Sequence, residues 1–146
     1  MLFSIRHRPP RFRKLLSAKK ENPRGTEVIL VVEDEEAIRT AMCRMLRSLG
    51  YFVLEAQQGE DALAVLQQYH GPAHLLITDL VMPELGGAPL IDLLHGSYPA
   101  MKVLIVSGYD APTLQEKGAL SSDAHFLPKP FTIDRLATMV RKILDS

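Results

Sequence analysis

The sequence predicts an α/β fold in which a doubly wound sheet of five parallel strands carries helices on both faces. Three observations carry this. Short β-branched runs recur without polar residues at alternate positions, VILVV at 28–32 being the clearest, and such runs suit strands covered on both sides. The stretches between them repeat their apolar residues every three or four positions, the period of a helix packed along one stripe. Five such alternations fit in 146 residues, and successive parallel strands need helical crossovers of this kind.

The elements follow in order. The first strand is Val28 to Val32. Residues 35–49 set Ile38, Met42, Met45, Leu46 and Leu49 at helical spacing, and Gly50 stands where a helix C-cap belongs. Tyr51 to Leu54 reads as the second strand and Asp61 to Tyr69 as the second helix, with Leu63, Val65 and Leu66 as its apolar face. His74 to Thr78 is the third strand, Pro83 to Gly87 a loop, and Leu90 to Leu94 the heart of the third helix. Lys102 to Val106 is the fourth strand. Ala111 to Gly118, with Pro112 near its start and few apolar residues, predicts a short, weakly anchored helix. Ala124 to Leu127 is the last strand and Thr132 to Leu144 the last helix, with Thr132 as N-cap and Leu136, Val140 and Ile143 as the buried stripe.

Composition narrows the function classes. With 47% hydrophobic and 23% charged residues the chain suits one domain with its own core. No apolar run approaches the ~20 residues that span a bilayer. The start MLFSIRHRPPRFRK lacks the apolar stretch and cleavage site of a secretory signal, so the expected location is the cytoplasm. The single cysteine, Cys43, sits among Met42, Met45 and Leu46 as a core or helix-surface thiol. A formal net charge of zero hides an asymmetry, because residues 1–24 hold eight Lys or Arg against Glu21 alone. The expected organisation is a basic, disordered arm over 1–25, interrupted by Pro9, Pro10 and Pro23, followed by one domain over 26–146.

In open parallel sheets, ligands bind beyond the carboxyl ends of the strands. Those ends carry Glu33 and Asp34 after the first strand, Asp79 after the third, Ser107 after the fourth and Lys129 after the fifth. Three carboxylates gathered there would raise one another's pKa unless a cation or a lysine compensated. Hard oxygen donors point to Mg²⁺, and no His or Cys cluster of zinc-ligand spacing exists; His70, His74, His95 and His125 are scattered. A carboxylate can also attack phosphorus to form an acyl phosphate. Asp79, alone at its strand end, is the nucleophile candidate, whereas the adjacent Glu33 and Asp34 suit the ion. Mg²⁺, the Lys129 ammonium and the Ser107 hydroxyl would then surround the phosphoryl oxygens.

Four stretches, ILVVEDE at 29–35, ITDLVMPELGG at 77–87, VLIVSGY at 103–109 and FLPKPF at 126–131, together resemble the receiver domain of two-component response regulators. The resemblance covers roughly residues 26–146. It implies a flavodoxin-like strand order 2-1-3-4-5 and a phosphoacceptor switch in place of a metabolic enzyme, limited to Mg²⁺-dependent self-phosphorylation and autodephosphorylation. Asp79 would accept phosphate from a histidine kinase or phosphotransfer protein. Glu33, Asp34, Asp79 and the backbone carbonyl of Val81 would hold Mg²⁺. Ser107 would follow the phosphoryl group, Lys129 would pair with it, Pro130 would be cis, and Phe126 would be the aromatic that changes rotamer. Signalling would pass to a downstream effector protein through the face around the weak helix, the last strand and Phe126, with no membrane or nucleic-acid partner.

RGTE at 24–27, LEAQQGEDAL at 54–63 and GPAHLLITDL at 71–80 are similar to receivers at the C-terminus of hybrid sensor histidine kinases. Because the sequence stops soon after the last helix, a stand-alone receiver is expected. Two departures stand out: Glu33 occupies a position where Asp is common, and Ser107 one where Thr is also frequent. Val81 and Tyr109, bulky and beside the acceptor and the hydroxyl, predict a long-lived phosphorylated state. Three other readings remain: a receiver-like module that binds partners without phosphorylation, a nucleic-acid-associated regulator using the basic arm, and a metal-dependent hydrolase. The last lacks an acidic residue two positions beyond Asp79, where Val81 stands.

Overall fold

The computed structural model of the chain describes residues 21–79, 87–109, 112–113 and 125–146. Its elements are β1 (Val28–Val32), α1 (Glu36–Ser48), β2 (Phe52–Ala56), α2 (Gly59–Tyr69), β3 (Leu75–Asp79), α3 (Gly87–Ser97), β4 (Lys102–Ser107), β5 (His125–Pro128) and α4 (Ile133–Leu144). The strands form one sheet in the order β2-β1-β3-β4-β5, with every neighbouring pair parallel. This is the order and class expected. The helix expected over Ala111 to Gly118 and the loop expected from Pro83 lie almost wholly outside the described residues, as do residues 1–20 of the basic arm.

The unbroken apolar runs have the anticipated cause. All five residues of β1 are buried, and successive side chains of a strand point to opposite faces. Ile29 and Val31 join Met42, Cys43 and Leu46 of α1 and Leu136, Val140 and Ile143 of α4 on one side. Val28, Leu30 and Val32 join Ala62 and Leu66 of α2 and Leu90 and Leu94 of α3 on the other. Cys43 is buried in the first cluster, and its burial pushes the thiol up to about 11, which makes it a packing residue.

Chain reversals rest on identifiable residues. α1 ends as Gly50 adopts φ 100, while Gly50 N–H donates to the Arg47 carbonyl and Tyr51 N–H to that of Leu46. α2 ends on His70 at φ 57, a left-handed position that histidine tolerates better than most residues. α4 starts at Thr132, whose Oγ1 accepts from Arg135 N–H at 3.2 Å, the cap the sequence predicts. At the amino ends of the strands, His74 Nδ1 accepts from Val28 N–H at 2.9 Å, so this histidine completes the sheet.

Candidate functional site

The register brings the polar strand ends together. Val32 pairs with Thr78 across β1 and β3, so Glu33, just past β1, and Asp79, the last residue of β3, stand side by side at the carboxyl edge of the sheet. Asp79 pairs with Val106, which places Ser107 one residue beyond on the next strand, and Ser107 pairs with Pro128, just before Lys129. Lys129 N–H donates to the Ser107 carbonyl at 2.8 Å, and the Lys129–Pro130 peptide is cis.

The side chains converge on one nitrogen. Lys129 Nζ lies 2.5 Å from Glu33 Oε1 and 2.8 Å from Asp79 Oδ2. Glu33, Asp79 and Ser107 are all buried polar residues. Burial raises the Glu33 carboxyl above the ordinary carboxylate range; the Lys129 ammonium pulls the other way, and a hydrogen bond with Asp34 adds to the rise. Burial alone would lower the Lys129 ammonium, but its bonds to Asp79 and Glu33 outweigh that and raise it, so the lysine stays charged. Glu33 Oε2 also accepts from Glu35 N–H at 3.2 Å. Compensation of the gathered carboxylates thus comes from the lysine.

Among the described residues no three acidic or His/Cys side chains stand at ligating distances from one point. The Val81 carbonyl, expected as a ligand, lies outside the described residues. By type, Glu33, Asp34 and Asp79 fit a hard divalent cation: they are oxygen donors, two of them already meet one positive charge, and a cation would offset the burial that raises Glu33. Ser107 Oγ accepts from Tyr109 N–H at 3.2 Å. Phe126 lies apart from this cluster, half-buried on β5, and lines a cavity of about 390 Å³ with Arg135 and Met139 of α4.

Two residues at the site escaped the sequence reading. Thr78, buried next to Asp79, donates its hydroxyl to the Asp79 carbonyl at 3.1 Å; a lone hydroxyl inside an apolar strand was the signal available. Arg39 Nη1 donates to the Glu33 carbonyl at 2.7 Å, and nothing in the spacing of the sequence announces that contact.

A family model for the response regulator receiver domain matches residues 29–141. The chain belongs to that family. As a receiver it is 37% identical over 121 residues to the sensor kinase CckA of Brucella abortus (strain 2308), a match covering 83% of this chain and 13% of that protein. It is 33% identical over 116 residues to the response regulator receiver protein CpdR of the same organism, covering 80% of this chain and 95% of that one. The solved receiver domain of the hybrid histidine kinase CckA aligns at a TM-score of 0.67 with 38% identity, covering 80% of this chain and 98% of that one. The Vibrio cholerae chemotaxis protein CheY4 aligns at a TM-score of 0.72 with 24% identity over 82% of this chain and 99% of its own, which shows the fold alone. Receivers are the phosphoacceptor switches of phosphorelay signalling, and this chain is one of them. No helix among its described residues is long and apolar enough to cross a membrane.

Proposed function

We propose that Asp79 accepts a phosphoryl group from a phosphohistidine on a histidine kinase or phosphotransfer protein, and that the phosphorylated chain acts by contact with an effector protein. The observation that carries this reading is the convergence of Glu33 and Asp79 on Lys129 at the carboxyl edge of a receiver sheet. In the transfer, a carboxylate oxygen of Asp79 bonds to phosphorus as the P–N bond to the donor imidazole breaks. The imidazole leaves with the electron pair and takes up a proton, and an acyl phosphate remains.

Lys129, already paired with Asp79, stays with the phosphoryl oxygens. The Ser107 hydroxyl turns from the Tyr109 N–H to donate to one of them, and the space it leaves admits Phe126. Glu33, Asp34, Asp79 and the Val81 carbonyl would hold Mg²⁺, which when bound would neutralise charge on the transferring group. An apolar groove of about 470 Å³ runs from Ile38, Met42 and Met45 of α1 past Pro130 and Phe131 to Lys129, and offers the donor protein a seat beside the acceptor. The reading takes 26–146 as the receiver, 1–25 as a separate basic arm, and the cytoplasm as its location.

The test uses acetyl phosphate with Mg²⁺. The wild type should gain the mass of one phosphoryl group, and beryllofluoride should shift its NMR spectrum, whereas Asp79→Asn should do neither. Equal responses from the two proteins would refute the assignment. Tyr109, 47% exposed beside Ser107, shields the acyl phosphate from water. The phosphorylated protein should accordingly persist for minutes or longer, and decay within seconds would remove the shielding role.

A further inference from the structure

Glu33 is fastened at four atoms. Its N–H donates to the Ala56 carbonyl, its two carboxylate oxygens take Lys129 and the Glu35 N–H, and its carbonyl takes Arg39. Arg39 sits early in α1 with a side chain only 16% exposed, and its Nε stands 3.6 Å from Glu55 Oε1 on β2. The second oxygen of Glu55 takes Arg47 Nη2 at 3.1 Å, and Arg47 also donates to the Val53 carbonyl. One carboxylate on β2 therefore anchors two arginines of α1, and the nearer one grips the backbone of Glu33. A guanidinium can serve both Glu55 and the Glu33 carbonyl because its donors form a planar fork; a lysine ammonium is a single point.

We propose that Arg39 is a positioning residue for Mg²⁺, fixing through the Glu33 carbonyl the direction from which the Glu33 and Asp34 carboxylates meet the cation. This rests on the reading of Glu33, Asp34 and Asp79 as the Mg²⁺ site. Two effects of Arg39 on that site have opposite signs. Its positive charge repels a divalent cation, so charge removal by itself tightens binding. Its clamp holds the turn that carries two of the ligands, so loss of the clamp weakens binding, as loss of groups behind metal ligands does. The sign of the change separates the two.

The experiment titrates the full chain with Mg²⁺ at constant ionic strength, follows the amide NMR shifts, and records thermal unfolding without Mg²⁺ in parallel. Arg39→Met should weaken Mg²⁺ binding by roughly tenfold, although it deletes a repelling charge. Arg39→Lys keeps the charge and loses the fork, and it should weaken binding in the same direction. Affinity unchanged or tightened in either variant overturns the proposal, and a fall in melting temperature alone reduces Arg39 to a stabilising contact. A wild type that shows no saturable Mg²⁺ binding removes the site reading itself, an outcome distinct from variants that bind as well as the wild type.

Discussion

At the scale of single residues, one ammonium holds two buried carboxylates in place. The Glu33 and Asp79 side chains are 2% and 11% exposed, and Lys129, at 16%, touches both. Replacing Lys129 with Met leaves those carboxylates without their shared counter-charge, and a buried pair broken from one side costs about 3 kcal/mol at neutral pH. The sign of the pH dependence follows from Glu33. Its folded-state pKa lies above the unfolded one, so its contribution to stability is present at low pH and lost as pH rises through the folded value. Without Lys129 that pKa climbs further, because the ammonium was pulling it down. The deficit of Lys129→Met should therefore narrow between about pH 7 and about pH 5, and Mg²⁺ should stabilise this variant more than the wild type by replacing the lost charge. Urea unfolding at both pH values, with and without Mg²⁺, measures both effects. A deficit that is constant with pH would mean that the carboxylates are compensated elsewhere.

At the scale of elements, the α1 to β2 turn depends on one glycine for two separate reasons. Gly50 has φ 100, and a Cβ there would lie 2.6 Å from the Gly25 carbonyl oxygen. Gly50→Ala should cost about 1–3 kcal/mol, read as a fall in the thermal midpoint, and an unchanged midpoint would show that the turn relaxes around the methyl. Gly50 is also an instance of what the sequence makes legible, since a glycine closing a helical pattern has a local cause. The same holds for Thr132 as N-cap, for VILVV as a strand buried on both faces, and for the polar residues that interrupt apolar runs at the carboxyl edge. Boundaries slipped where local signals were weak: β2 begins at Phe52 and extends through Glu55 to Ala56, beyond the apolar run, because its ladder with β1 continues to Val32. Contacts between distant elements stayed hidden. Arg39 reaches Glu33 one way and Glu55 the other, and on a helix surface such an arginine reads like any solvated charge. Lys129, by contrast, was placed beside Glu33 and Asp79 by the strand ends although 96 and 50 residues separate the partners; only which oxygens its ammonium takes stayed hidden.

At the scale of the whole molecule, the two poles of the sheet are built differently. The carboxyl pole gathers the buried Glu33 and Asp79 around Lys129, whereas the amino pole is tied by ion pairs between the chain entering β1 and the end of α4. Arg141 grips Glu27 through two nitrogens, at 3.1 and 2.5 Å, and also takes Asp145 one turn on and the Arg24 carbonyl. Lys102, at the start of β4, donates to the Ile143 carbonyl and to Ser146. The Arg141 bond pulls the Glu27 carboxyl down to about 2. A folded-state pKa below the unfolded one contributes stability that is present above the unfolded value, near 4.3, and is lost as pH falls toward about 2. Glu33 acts in the opposite sense over the acid range, so the acid sensitivity of the wild type is a sum of opposed terms. Comparison with Glu27→Gln isolates the clasp, because both proteins retain Glu33. At neutral pH the variant should be less stable by about 1 kcal/mol, the upper end for a partly exposed pair. That gap should shrink below about pH 4 and close near pH 2, where Glu27 of the wild type is itself becoming protonated. Denaturant unfolding of both proteins at neutral pH and at two acid values provides the check. A gap that persists undiminished into acid would mean that the Glu27→Gln substitution loses packing, not charge, and that the amino pole is held by contacts other than this ion pair.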